Sequence, residues 1–269
     1  MIFMKAFYQE MTWPEVKEAA EDNRVALVPV GSIEDHGKHL PVMTDNLIIT
    51  SLCNEVARQI PREVVVLPNA PYGFEAHHMD FPGSINIHWQ TLIYLWKDIG
   101  QSLACHGFKK IVFANGHGSN ASPLDLAARE VTLQTYSLCA SFSWWDMVRK
   151  EASGLRESAV PGGVSHAGEM ETSLVMYLRP ELVKKEHLVK EIPPASQFIW
   201  RDLFNPSPVK FMDYWSTMTQ SGTVGDATLA SREKGEKLFT LTVNRICEFI
   251  KEFREREITP RRNFQGKDL

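Results

Sequence analysis

Apolar positions along the chain fall into two periods. Apolar-rich runs occur at Val25-Ala-Leu-Val-Pro-Val30, Val64-Val-Val-Leu67, Lys110-Ile-Val-Phe-Ala114 and from Tyr136 to Ser143. Runs of this length predict strands inside a covered sheet. Between them the apolar residues shift to helical spacing. Positions 48, 52, 56 and 60 form one face of a helix from Asn46 to Ile60, which Pro61 stops. Leu92, Trp96, Ile99 and Leu103 stripe a helix from Trp89 to His106, ended by Gly107. Further helices are predicted from Pro123 to Gln134, from Glu169 to Leu178, and from Ser231 to Phe253. Near the start, Thr12-Trp-Pro-Glu15 combines a capping box with proline in the first turn, so a short helix should run to about Asp22.

Strands alternating with helices predict an α/β fold, a three-layer α/β/α arrangement around a central, mostly parallel sheet. No internal repeat or composition shift divides the chain, so one domain over residues 1–269 is expected. Residues 193–222 break the pattern. They hold Pro193, Pro194, Pro206 and Pro208 among Phe198, Trp200, Tyr214 and Trp215. Long irregular loops of this kind serve as lids or subunit contacts. The charged tail beyond about residue 258 is expected to be mobile.

Composition adds mostly exclusions. The net charge of −4 and the lack of a basic run argue against nucleic acid. No apolar stretch approaches the roughly 20 residues that span a bilayer. Met1-Ile-Phe-Met-Lys5 lacks the layout of a signal peptide. Cys53, Cys105, Cys139 and Cys247 form no CxxC pair and read as small core residues in a reducing compartment. A soluble cytoplasmic protein with a small-molecule substrate is the expectation.

Polar chemistry collects in three places. The first is Gly31-Ser-Ile-Glu34-Asp-His36-Gly-Lys-His39-Leu-Pro-Val-Met-Thr-Asp45, directly after the first strand. Carboxylate and imidazole together suit a divalent metal. His39 reads as a further ligand or as a donor to one. The second is Asn115-Gly-His117-Gly118-Ser-Asn120, directly after the third strand. His117 reads as a metal ligand, as part of a phosphate-cradling loop, or as a plain turn histidine. The loop lacks the lysine and spacing of a P-loop. The third is Ser165-His166-Ala-Gly-Glu169-Met-Glu171-Thr-Ser173. On a helix His166 and Glu169 are i and i+3 and share a face, while Glu171 points elsewhere. That gives a ligand and a proton carrier, or simply acids at a helix N-terminus favoured by its dipole. His77 and His78 precede Met79-Asp-Phe-Pro-Gly83, where a loop histidine is ordinarily exposed. Trp144-Trp145-Asp146 follows the fourth strand and reads locally as packing.

Together these segments resemble the creatininase family of metal-dependent amidohydrolases. The resemblance rests on Pro29-Val-Gly-Ser-Ile-Glu34-Asp-His36-Gly-Lys-His39-Leu-Pro with Thr44-Asp45, on Phe81-Pro-Gly-Ser84, on Asn115-Gly-His117-Gly-Ser-Asn120, on His166-Ala-Gly-Glu169-Met-Glu171-Thr-Ser, and on Ala230-Ser-Arg-Glu-Lys-Gly-Glu236. It implies a binuclear site for two divalent ions per chain, zinc or manganese. Glu34 and His117 would bind one ion, His36 the other, and Asp45 would bridge them. Creatininase takes another carboxylate from two positions after the NGH histidine, where this chain has Ser119. Other family members have a glutamate in the His-Ala-Gly-Glu motif, so the resemblance implies Glu169 as the remaining ligand. His166 matches the catalytic general acid/base, and Trp145 a substrate-facing tryptophan. His78 and Gly118 complete the candidate substrate contacts. The implied reaction is hydrolysis by a bridging hydroxide. The family's hexamers imply a homo-oligomer.

This chain departs from creatininase in having Gly118 where an aromatic residue follows the histidine, and Gly163-Val-Ser165 where a second tryptophan stands. A small polar or cyclic amide is thus expected in place of creatinine. A ring-opening hydrolase of a cyclic ketone or lactone, or a catalytically silent metal-binding protein, are the alternatives.

Overall fold

The computed structural model describes residues 5–260, 262 and 264. Most of the charged tail, and the first four residues, lie outside these. Four strands form the main sheet: β1 (Val25–Val30), β2 (Val64–Val66), β3 (Lys110–Asn115) and β4 (Leu138–Ser143). Their order is β2-β1-β3-β4 and every pairing is parallel.

Because side chains alternate along a strand, each strand feeds two cores. Val25, Leu27, Val64, Val66, Val112 and Ala114 share one core with α2 (Thr44–Gln59), α6 (Glu169–Leu178) and α7 (Arg232–Glu255). Ala26, Val28, Val30, Val65, Ile111 and Phe113 share the other with α3 (Trp89–Cys105) and α4 (Ala121–Gln134). The result is the three-layer α/β/α arrangement expected from the alternating pattern.

Predicted and observed elements differ mainly at their ends. α1 runs Trp13–Glu21, and the Glu15 carboxylate accepts from the Thr12 amide (2.6 Å), as the capping box requires, and also from the Thr12 hydroxyl (2.8 Å). β4 begins two residues later than expected, since Tyr136 is fully turned to solvent. Cys53 and Cys247 are buried, but Cys105 is exposed at the end of α3, so it is not a core residue. A short helix α5 (Arg149–Ala152) and a small antiparallel pair, β5 (Lys190–Glu191) with β6 (Gly225–Asp226), complete the regular elements used below. Among the described residues, no helix is long and apolar enough to cross a membrane.

The connections set the site. From β1 the chain crosses to β2 on one side; β3 then pairs on the other side of β1. The strand order thus reverses between β1 and β3, and the crevice beyond their carboxyl ends is where open α/β sheets place their ligands.

Candidate metal centre

Both strands deliver polar residues to that crevice. Beyond Val30 the chain runs through Glu34 and His36 and enters α2, whose first turn carries Asp45. Beyond Asn115 it passes Gly116 and presents His117. A Cβ on Gly116 would meet the Asp45 carbonyl oxygen and Ile49 Cβ, each at 3.0 Å, so glycine lets the end of β3 close onto α2. Asn115 fixes the turn, its side chain accepting from the His117 amide (3.0 Å) and donating to the His117 carbonyl (2.7 Å). The third contribution comes from Ser165 to Glu171. His166 pairs with Val224 through backbone bonds of 2.8 and 2.9 Å, and Ala167 then takes a left-handed backbone, φ +51°. Helix α6 starts only at Glu169.

That late start corrects one expectation. His166 lies before the helix, so the i, i+3 relation to Glu169 does not hold. Glu169 instead faces Lys234 of α7, with 2.5 Å between Oε1 and Nζ, and accepts from the amides of Glu157 (3.0 Å) and Ser158 (2.9 Å). Glu171 faces the crevice. Its Oε2 accepts from the Ala167 amide at 2.6 Å, and it groups with His36 and Asp45 closely enough to share an ion. The structure brings Glu34, His36, Asp45, His117 and His166 together with Glu171, and leaves Glu169, the other carboxylate of the segment, outside the group.

The cluster is buried throughout. Asp45 is its centre, with Oδ1 3.1 Å from His36 Nε2 and Oδ2 3.1 Å from His117 Nδ1. Glu34 Oε1 is also 3.1 Å from His117 Nδ1. Glu34, Asp45 and His117 form one potential ligand set, and His36, Asp45 and Glu171 a second. The outer nitrogen of each ring has a backbone carbonyl to donate to. His36 Nδ1 lies 3.4 Å from the Glu34 oxygen, His117 Nε2 3.2 Å from the Phe74 oxygen, and His166 Nε2 2.7 Å from the Asp35 oxygen. With those protons placed outward, the inner nitrogens turn lone pairs toward the carboxylates, as metal-binding imidazoles do.

Electrostatics show what the arrangement lacks. Burial opposes charge on His36, yet Asp45, with Glu171 and Glu34, outweighs it and pushes the imidazole pKa up to about 10. Burial also opposes charge on His117, and Glu34 and Glu75 override it. Burial raises Glu34 well above the carboxylate range and Glu171 to about 7. Glu34 Oε2 and His36 Nε2 have no hydrogen-bond partner. Without metal, protons on the two imidazoles and on the raised Glu34 and Glu171 carboxyls must offset the buried charge. Divalent cations would replace those protons. The donor set of carboxylate oxygen and imidazole nitrogen fits zinc or manganese.

His166 differs. Burial, with His36 and His78 beside it, holds its pKa well below the imidazole range, so it stays neutral. Its Nδ1 is 3.5 Å from Glu34 Oε1.

A cavity of about 320 Å³ opens onto this cluster. His78, Trp145 and Gly118, the candidate substrate contacts, all line it. His77 and His78 are buried, against the exposed positions expected for a loop; His78 Nδ1 meets Asp35 Oδ1 at 2.7 Å. His39 is buried too, bonded to the Thr172 hydroxyl at 3.0 Å, and joins neither ligand set. Three contributors escaped the sequence reading. Glu75 Oε2 lies 3.0 Å from His117 Nε2, on the side away from the carboxylates. Trp215 packs over His78, ring centroids 4.5 Å apart, and meets His166 edge to face at 5.3 Å. Arg201 lines the cavity beside it. Trp215 and Arg201 both come from the irregular 193–222 segment, whose aromatic content was the one available signal.

Comparison with known proteins agrees with the geometry. A family model described as creatininase, creatinine amidohydrolase, matches residues 9–250. The chain is 33% identical to a creatinine amidohydrolase of Pseudomonas putida, over 91% of this chain and 96% of that one. It is 32% identical to a mycofactocin precursor peptide peptidase of Mycolicibacterium smegmatis, over 84% of each. A crystal structure of creatininase superposes with a TM-score of 0.78 at 30% identity, covering 94% of this chain and 99% of that one. Similar structures include a zinc–zinc form and a manganese form. The chain belongs to the creatininase family of amidohydrolases.

Proposed function

We propose that this chain hydrolyses the C–N bond of a small polar amide or cyclic amide with two divalent ions. Glu34, Asp45 and His117 would hold one, and His36, Asp45 and Glu171 the other. The observation that carries this reading is Asp45, whose two oxygens each face a different imidazole at 3.1 Å. A single carboxylate placed between two ligand sets is what a bridging ligand requires.

Bound divalent ions would supply an acidified water and a Lewis acid for the substrate carbonyl. The chain's own residues do the rest. His166, neutral and with Nδ1 turned inward, accepts a proton from the attacking water and returns it to the leaving nitrogen. The Asp35 carbonyl and the Val224 bridge fix its ring, so the proton is always handled at Nδ1. Trp215 covers the His78 and His166 rings and shields the reaction from bulk water. We further place the enzyme in the cytoplasm as a homo-oligomer; the free thiols of Cys53, Cys105, Cys139 and Cys247 suit a reducing compartment.

Elemental analysis of purified protein tests the centre, and a panel of amides and lactones tests the reaction. Two divalent ions per chain and amide turnover are expected, both lost in Asp45→Ala. Full metal occupancy in that variant overturns the bridging role. A metal-replete protein that is inert against the panel favours a silent binding protein.

A further inference from the structure

The cavity wall contributed by the 193–222 segment carries two hydrogen-bond donors without an acceptor. Arg201 Nη2 and Trp215 Nε1 are both buried, and neither has a hydrogen-bond partner among the described residues. Both residues line the cavity that opens onto Glu34, Asp45 and His117. The guanidinium sits against two aromatic rings, with Cζ 5.6 Å from the Phe211 centroid and 5.9 Å from that of Trp215. Asp213 approaches it, but its Oδ2 is 3.7 Å from Nη2, within ion-pair range and beyond a hydrogen bond. Burial lowers the guanidinium pKa, and Asp213 opposes that shift. The group nonetheless remains a cation, because arginine does not lose its proton in proteins. A buried donor left unpaired costs roughly 1–3 kcal/mol, and more when charged. Such a donor in a reactive cavity is accounted for when a ligand supplies the acceptor.

The guanidinium is also held in place. Asp202, the next residue, forms a bidentate pair with Arg156 at 3.0 and 2.6 Å. It accepts further bonds from the amides of Gly162 (2.7 Å), Phe204 (3.0 Å) and Asn205 (2.9 Å). This knot roots the loop directly beside Arg201. Trp215, whose ring also faces the guanidinium, meets His166 edge to face at 5.3 Å between centroids. Arg201 therefore stands one indole ring away from the proposed proton carrier, in the part of the cavity lined by the 193–222 segment.

We propose that Arg201, with the Trp215 indole N–H beside it, binds a carboxylate on the substrate, so that the enzyme selects small amides that carry a carboxylate near the scissile bond. This rests on the hydrolase reading above. A planar guanidinium offers paired donors that match the two carboxylate oxygens, and aromatic rings hold it flat. Anchoring the carboxylate at Arg201 leaves the amide to reach the metal centre. The substrate thus enters in one orientation, carboxylate toward Arg201 and amide toward the metal centre.

The test uses the full-length, metal-loaded protein and matched probes: dihydroorotate against dihydrouracil, and N-formylglycine against N-formylglycinamide. Binding is measured by calorimetry and turnover separately. In the wild type the carboxylate members should bind at least about tenfold more tightly than their neutral partners. Arg201→Gln should remove that preference, weakening the carboxylate members about ten- to a hundredfold while neutral members and metal content stay as they were. Arg201→Lys, which keeps the charge without the fork, should restore only part of it. Unaltered neutral-probe binding shows that the variants are folded. Equal affinity within every pair, no binding of any probe, or an unchanged preference in Arg201→Gln overturns the proposal. If the preference is present and depends on Arg201 but no probe is turned over, carboxylate recognition stands and the hydrolase reading falls.

Discussion

Glu169 and Glu171, two residues apart at the start of α6, face opposite ways: Glu169 meets Lys234 at 2.5 Å, while Glu171 joins His36 and Asp45 in the crevice. The two carboxylates should therefore fail differently when neutralised. Glu171→Gln should lose metal and activity with little loss of fold. Glu169→Gln should keep its metal but lose about 2 kcal/mol of stability, because the charge-assisted bonds from Lys234 and from the Glu157 and Ser158 amides are weakened, while Lys234 keeps Glu157 at 2.8 Å. Metal analysis and denaturant unfolding of the two variants read the difference directly. A metal-free Glu169→Gln with a metal-replete Glu171→Gln would reverse the assignment.

Metal removal should destabilise the fold itself. Glu34, Asp45 and Glu171 crowd a buried site, and only protons on the imidazoles and on Glu34 and Glu171 remain to neutralise it once the ions leave. An ion at a hundredfold excess over its dissociation constant contributes about 2.7 kcal/mol. Chelation should lower the melting temperature, and zinc or manganese should restore it. The same treatment should leave the melting temperature of Asp45→Ala unchanged.

Glu75 should matter to metal affinity without touching the metal. Its Oε2 stands 3.0 Å from the outer nitrogen of His117, on the opposite side of the ring from Asp45 and Glu34. The ring's outer N–H is aimed at the Phe74 carbonyl, and the nearby carboxylate raises the imidazole's basicity as a ligand. Glu75→Gln should weaken binding at the His117 site by about 10- to 100-fold. Titration of apoprotein with a competing chelator measures this, and an unaltered affinity would confine Glu75 to packing.

What the sequence made legible follows from range. The strands were readable because continuous apolar runs flanked by turn residues have few other fates, and the ends of β1 and β3 carried Glu34, His36 and His117 straight to the switch point. Asp45 was readable because it lies on the same excursion as Glu34. Glu171 was misjudged for a local reason that spacing cannot reveal. The i, i+3 rule assumes a helix through both residues, whereas the left-handed Ala167 delays α6 until Glu169 and rotates the following carboxylates. Trp215, Arg201 and Glu75 were beyond reach because loops with no periodicity bring them to the site. The Ala230 to Glu236 match also has a physical basis now, since Lys234 anchors Glu169 and Gly235 seats α7 on α6.

Acid should loosen the segment that lies behind the cavity. The Glu191 carboxylate accepts from the hydroxyls of Thr219 (2.6 Å) and Ser221 (2.5 Å) and from the Gln220 amide (2.7 Å). Partial burial works against its charge, but the Ser221 and Thr219 bonds prevail and its pKa lies below the ordinary value. A carboxylate with a depressed folded pKa adds stability above its unfolded pKa, and that stability is lost as pH falls through the folded one. Glu191→Gln should therefore cost stability at neutral pH and flatten the acid side of the stability–pH curve. Identical curves for variant and wild type would remove Glu191 from the account.

The close seating of α7 on α6 gives the sharpest contrast between two glycines. A Cβ on Gly235 would fall 1.9 Å from the Ser173 carbonyl oxygen, a backbone atom of α6 that cannot step aside. Ser173 is also tied into the helix, its hydroxyl donating to the Glu169 carbonyl at 2.6 Å and accepting from the Ser231 amide at 3.1 Å. Relief of the clash must push α6 away from α7, and α6 carries Glu171. Gly235→Ala should thus lose about 3 kcal/mol, at the upper end of overpacking costs, and also bind metal more weakly. A Cβ on Gly118, by contrast, meets nothing within 4 Å, because it points into open space at the cavity. Gly118→Ala should fold and bind metal as the wild type does, with any change confined to substrate KM. Denaturant midpoints and metal content of the two variants decide the matter, and a Gly235→Ala protein with wild-type stability would show that the helices have room the backbone geometry does not allow them.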